Sequence, residues 1–363
     1  MGAGLQPAAP QAGHPLGAPA PLAVVLGGEA KVLEEAARQA GWSVLPVPEA
    51  GPSDATAKAL RAAVKGGPTY LVGAGASAAA VFYLAARVPD LWAAALAVEG
   101  SPRVAIDTNR LFAGNTELVP VLWVTSSKEP PAMPGYNLER RAPNEITVGQ
   151  ALEWLAGHRR DEYPAKVDCE TGNVELAQCY WVEMTKLDFA RRNDVLGTTR
   201  VKPGSGASLA LGEFGFSLSA PGPGVLVSWL PENYRGPLKL GDRIVAVGGK
   251  QMADGRAYLE YMDSVNEGKP VVVTVQRGKE RQRVETRIVL PKREEALTAR
   301  VRAEFFSDTR EVLIISRGVA ELRLRLPRYW VPCPINWNGT AAGTADGPGC
   351  WAVTEGGQAR RCE

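Results

Sequence analysis

A chain of 363 residues, 45% of them hydrophobic and 22% charged, is long enough for more than one core and has the composition of a folded globular protein. With 41 basic and 39 acidic residues the net charge is +2, which gives no general attraction to nucleic acid or to an anionic membrane surface. No apolar run approaches the ~18 residues of a membrane-spanning helix, and the best, Ala78 to Ala86, is far shorter.

Residues 1–20 are largely Ala, Pro and Gly and read as a flexible or polyproline-like arm. The arm contains no basic-plus-apolar leader, and a Met-Gly start running straight into it is read as a sign that a leader was trimmed. Residues 21–163 then alternate short apolar runs with amphipathic helices. Strands are expected at 21–26, 43–48, 69–73, 93–98 and 120–125, and helices at 30–41, 55–65, 76–87 and 148–158. That alternation predicts a mostly parallel sheet covered on both faces.

Within it, Thr69-Tyr-Leu-Val-Gly-Ala-Gly75-Ala-Ser77 followed by an Ala-rich helix reads as strand, sharp turn, helix. This is the layout that lifts a nucleophile above a sheet. Pro89-Asp-Leu-Trp92, Ala97-Val-Glu-Gly-Ser-Pro102, Val119-Pro-Val-Leu-Trp-Val-Thr125 and Trp154-Leu-Ala-Gly-His-Arg-Arg-Asp161 follow in order. With these, the segment resembles the α/β-hydrolase fold, in the branch of dienelactone-hydrolase and polyhydroxybutyrate-depolymerase-like esterases. The resemblance implies a nucleophile at Ser77, an acid at Glu129, an oxyanion loop at Gly27-Gly28 and a histidine in the loop Arg141-Ala-Pro-Asn-Glu-Ile-Thr147. That loop contains no histidine.

The chain has only two histidines. His14 belongs to the arm, and His158 lies about 15 Å along the helix from the expected loop at 1.5 Å per residue. His158 is read as a helix C-terminal residue favoured by the dipole. Lys128 is the one positional substitute for a base. A serine without a base attacks slowly by orders of magnitude. The expectation is therefore a non-catalytic shell in which Gly73 to Ala80 serve close strand–helix packing. An active serine esterase or peptidase using Ser77 is the alternative. No cofactor and no metal are expected.

Residues 164–204 and 294–355 read as the two parts of a β domain, with strands at 180–187, 195–201, 299–305, 311–316 and 321–326. Neither part reaches the ~7 strands a sandwich needs alone. The intervening 205–293 is therefore expected to be inserted between two strands of a small β-sandwich-like domain, with 356–363 as a tail. The fold class is multidomain α/β plus β.

The inserted stretch carries Glu213-Phe-Gly-Phe-Ser-Leu218, Gly224-Val-Leu-Val-Ser-Trp229, Leu238-Lys-Leu-Gly-Asp-Arg-Ile-Val-Ala-Val-Gly-Gly249 and Val271-Val-Val-Thr-Val-Gln-Arg277. It resembles a PDZ domain of the bacterial kind found in exported proteases. The resemblance implies a nest of N–H groups at Phe214, Gly215 and Phe216 for a terminal carboxylate. A peptide adds as a strand beside Phe216, Ser217, Leu218 and Ser219. Tyr258 and Met262, four apart on one helix face, line the groove or face the core, and Leu259 can replace either. Glu213 stands where a small residue is usual, and its carboxylate opposes an incoming one. The expected partner is the C-terminus or an internal strand of a peptide or protein. A structural assembly protein whose own chain fills the groove is the rival.

Five cysteines show no Cys-x-x-Cys spacing, which argues against zinc. Cys169 and Cys179 flank a short loop, and Cys333 and Cys350 flank a Gly-rich one. Two local disulfides with Cys362 left over would suit an exported, periplasmic or extracellular protein. Buried free thiols are the other reading and would allow a cytoplasmic one. Trp330, Trp337 and Trp351 read as core or as a carbohydrate platform.

Overall fold

The computed structural model describes residues 20–127, 136–193, 195–201, 204–218, 220–292 and 297–362. The arm with His14, and Lys128, Glu129 and Ser219, lie outside the described residues. The chain divides into two units, one of Met1–Val201 with Ala296–Glu363 and one of Lys202–Glu295.

The first unit contains a six-stranded, all-parallel sheet: β1 Leu22–Leu26, β2 Ser43–Val47, β3 Thr69–Ala74, β4 Ala94–Val98, β5 Val121–Val124 and β6 Leu138–Arg141, in the order β2-β1-β3-β4-β5-β6. The near-continuous apolar runs of β1, β3, β4 and β5 are explained by burial on both faces. Val24, Leu26 and Leu71 join one core with Phe82 and Leu84, while Val25, Val72 and Leu96 join another with Leu33 and Leu152. The helix Ala78–Arg87 is buried along its whole length. It comes that close because position 73 has no side chain, since a Cβ there would stand 2.8 Å from Val81 Cγ2. The helix Val148–Ala156 opens on a capping box, with Gln150 N donating to Thr147 Oγ1 at 3.3 Å and Thr147 N to Gln150 Oε1 at 2.9 Å.

Two five-stranded sheets complete this unit. One runs in the order Thr340–Ala345, Cys333–Trp337, Glu311–Arg317, Ala299–Phe306, Lys166–Thr171. The other runs Arg360–Arg361, Gly349–Thr354, Val319–Leu326, Val182–Leu187, Gln178–Cys179. Strands from before the intervening unit pair with strands from after it, as in Cys169↔Val301 and Met184↔Leu322. Alternate residues of both sheets share one core, including Val301, Ala303, Leu322 and Leu324. Trp330, Trp337 and Trp351 belong to that core at 3%, 1% and 5% exposure, so they form no surface platform. Burial obliges the indole N–H groups to find acceptors, and Trp337 donates to Ser316 Oγ at 2.8 Å and Trp351 to Gly347 O at 3.0 Å.

The expected strand at 195–201 is not one. It makes a single bridge, Phe112↔Arg200, with Ala113 N donating to Thr199 O at 2.7 Å and Val201 N to Leu111 O at 2.8 Å, and Thr198 and Thr199 bond a buried carboxylate. Glu170, 1% exposed, accepts from Thr198 Oγ1 at 2.6 Å, Thr199 N at 2.6 Å, Thr199 Oγ1 at 2.8 Å and Thr298 Oγ1. Arg317 Nη2 donates to it at 3.3 Å.

The disulfides differ from expectation in one pair. Cys169 is joined to Cys179, but Cys350 is joined to Cys362 rather than to Cys333. Residues Arg360–Arg361 pair with Trp351 and Ala352, and Cys362 N donates to Cys350 O at 3.0 Å, which sets the two sulfurs side by side. The segment expected as a tail is thus tied into a sheet. Cys333 lies in the other sheet, fully buried, as a free thiol.

Burial pushes the Cys333 thiol up to about 11. At pH 8 only about 0.1% would be thiolate, so Ellman's reagent should find no reactive thiol in the native protein and one after denaturation. Rapid native reaction would contradict the assignment. Replacing Glu170 by Ala removes a buried acceptor and strands Arg317; a loss of about 3–5 kcal/mol in urea unfolding is expected. A loss under about 1 kcal/mol, the level of a surface pair, would contradict it.

Candidate functional site

Two places were singled out by sequence, and each lies within its own unit. In the first, β3 ends at Ala74 and the chain turns at Gly75, which has φ +57°. A short 3-10 turn, Gly75–Ser77, leads into the helix at Ala78. Ser77 has φ −79° and ψ −9°, an ordinary helical conformation. The left-handed corner is therefore Gly75, two residues before Ser77. A Cβ built at Gly75 would coincide with the Glu29 carboxylate, and one at Gly27 with the Ser77 hydroxyl.

Among the described residues no histidine or lysine hydrogen-bonds Ser77. His158 Nδ1 lies 2.8 Å from Trp154 O, and its ring packs on the Trp154 ring at 4.1 Å. Glu129 is outside the described residues. Another carboxylate beyond a strand end of this sheet is Glu99. It follows β4 at φ 54° and accepts from Ser126 Oγ at 3.2 Å and Ser126 N at 3.4 Å. The corner at Gly75 and the neighbouring Glu29 were not among the expected site residues. The spacing Gly73-Ala-Gly75-Ala-Ser77 contains the same motif frame two residues earlier.

The second place is in the unit Lys202–Glu295. Its sheet runs Ser208–Leu209, Glu280–Val289, Pro270–Arg277, Arg243–Val247, Val225–Trp229, Gly215–Phe216, with Lys250–Gln251 beside Arg243–Val247. Gly215–Phe216 is a terminal strand. One side pairs as Gly215↔Trp229 and Phe216↔Val227, and no described strand covers the other. Gly215 lets Trp229 lie close, since a Cβ there would be 3.1 Å from Trp229 Cβ.

The helix Gly255–Ser264 begins on an Asp254 cap, whose Oδ1 accepts from Ala257 N at 2.8 Å. Tyr258 and Met262, at 4% and 2% exposure, belong to this unit's core. The Phe216 ring meets Tyr258 edge-on at 5.2 Å, and Phe214 and Phe216 are half-buried against the same core. Ser217 is half-buried, and Leu218 is 55% exposed. Of the residues expected to form the groove, the phenylalanines and Leu218 reach the surface, while Tyr258 and Met262 support it from inside.

Residues 212–288 match the family model of the PDZ domain. This stretch is a PDZ domain. No curated protein matches the chain. In the PDZ domain, the turn Leu238-Lys-Leu-Gly-Asp242 has its physical reason in Gly241, at φ +87°, and in Asp242. Asp242, 1% exposed, accepts from Lys239 N at 2.7 Å and from Arg277 Nε and Nη2 at 2.9 and 2.7 Å. Burial alone would raise its carboxyl, but Arg277 and the Lys239 N–H together hold it below its ordinary 3.8.

A carboxyl depressed in the folded state stabilises above its unfolded pKa and ceases to do so as pH falls through the folded one. Hydrogen exchange of the PDZ segment should therefore show acid destabilisation setting in below about pH 4. Asp242→Asn should lose about 1.5–3 kcal/mol at pH 7 and most of that acid dependence. An unchanged acid profile in the variant would contradict the role given to this pair.

Proposed function

We propose that this chain is a non-catalytic relative of the α/β-hydrolases that recognises a peptide or protein partner through its PDZ domain. One observation carries the non-catalytic half. The residue at the sharp corner of a nucleophile elbow is the one that presents the attacking atom, and here it is Gly75, with the Glu29 carboxylate in the space of the missing side chain. The parallel order β2-β1-β3-β4-β5-β6, with the corner at the end of a central strand, supports the hydrolase reading. A small β-sandwich would then be the body into which the PDZ domain is inserted.

The recognition half rests on the PDZ match and on the uncovered edge of Gly215–Phe216. Among the described residues no strand of the chain fills that edge, which favours an external ligand over self-occupancy. The two disulfides favour an exported, periplasmic or extracellular setting.

A fluorophosphonate probe should leave the wild-type protein unlabelled under conditions that label a serine esterase control. Labelling of wild type that disappears in Ser77→Ala would overturn the non-catalytic reading.

A further inference from the structure

The free edge beside the nest is short. At Gly255, the first residue of the helix, an added Cβ would lie 2.7 Å from Ser217 O, 3.3 Å from Leu218 Cα and 3.4 Å from Phe216 Cδ2. The helix start and the strand backbone are thus in van der Waals contact. A peptide added as a strand needs about 4.8 Å beside its neighbour, and past Phe216 that space is taken.

The contact is braced from behind. Gly222 passes so close to Ala253 O that a Cβ there would overlap it. Gly224 N donates to Met252 O and Ala253 O at 3.1 and 3.0 Å. Arg243 Nη1 donates to Pro221 O and Pro223 O at 2.8 and 3.1 Å, and Ala220 N to Ser217 Oγ at 3.1 Å. Asp254, between Ala253 and Gly255, caps the helix. Residues 220–224 and the helix start are therefore tied together behind the contact of Gly255 with Ser217 and Leu218.

We propose that this PDZ groove reads only the last two residues of a free C-terminus, the final one apolar, and that residues further upstream leave the groove without being read. The inference rests on the peptide-recognition reading above. The carboxylate meets the N–H groups at Phe214–Phe216, and the terminal side chain meets the Phe214 and Phe216 rings over Tyr258. A third peptide residue reaches the contact at Gly255. Helix closure over the strand edge excludes internal strands, which must run through.

The test uses the full chain and fluorescein-labelled Gly-Ser peptides of three, five and eight residues, each ending in Leu-Val or Leu-Phe, measured by anisotropy. Dissociation constants are expected to agree within about twofold across lengths and to rise by about tenfold or more on C-terminal amidation. Affinity that climbs about tenfold from three to eight residues would overturn two-residue reading while leaving PDZ recognition standing. Binding at no length would overturn both. Gly255→Ala, whose new methyl forces the helix start off Ser217, is expected to introduce length dependence. A folded variant that still treats all lengths alike would contradict closure at this contact.

Discussion

The Glu170 carboxylate is the fixed point of the larger unit. Its oxygens take hydrogen bonds from Thr198 and Thr199, just before the chain leaves this unit, and from Thr298, just after it returns. The same residue's backbone is held by Asn115, whose Nδ2 also donates to Ala86 O at 3.0 Å at the end of the buried helix. One strand residue thereby joins the parallel-sheet layer, the two-sheet core and both stubs of the insertion. Asp168, two residues earlier, adds a bidentate pair with Arg300 at 2.7 and 2.6 Å, and Arg300 also donates to Gly197 O at 2.8 Å. With both stubs pinned, a long excursion costs the host little, because loop-closure entropy grows only slowly with length.

The corner at the end of β3 obeys a different constraint, which is space. Gly27, Gly73, Gly75 and Gly100 each sit where a Cβ would meet a neighbour's atoms, and the neighbours include Ser77, Glu29 and Ala78. Removing side chains lets the helix settle onto the sheet and brings the Glu29 carboxylate and the Ser77 hydroxyl against the turn. The left-handed turn at Gly75 is set by this close packing. In the PDZ domain, glycine close approaches at Gly222 and Gly255 do the opposite service, bringing backbone against backbone to limit a surface that is otherwise open.

Much of the fold was legible because burial on both faces writes itself as continuous apolar runs. β1, β3, β4 and β5 fall within a residue or so of the expected bounds. β6 was not legible, since Leu-Glu-Arg-Arg at a sheet edge has neither the run nor the alternation. The stretch 195–201 looked like a strand because it is β-rich in composition, but it makes only one bridge, to Phe112, and Thr198 and Thr199 turn to the Glu170 carboxylate. The Cys350–Cys362 pairing depended on a two-residue strand too short to carry a pattern. At the two candidate places the strand–turn–helix segment and the PDZ stretch were both legible. The left-handed corner falls at Gly75 rather than Ser77, and a positive φ leaves no trace in residue type beyond being glycine. Tyr258 and Met262 share a face, as four-residue spacing requires, and only packing could decide that the face is turned inward. The PDZ motifs were legible in order because each reports a local necessity: a glycine packed against Trp229, a left-handed turn at Gly241, and a buried Asp242 answered by Arg277.

The central claim is that recognition resides in the PDZ groove and that the hydrolase-like corner is silent. Hydrogen exchange of the full chain, with and without a saturating peptide ending in a free apolar C-terminus, measures both places at once. The account expects new protection confined to residues 213–217 and 255–262, with residues 74–78 unchanged. Protection at the β3 corner, with none along Phe214–Phe216, would contradict it.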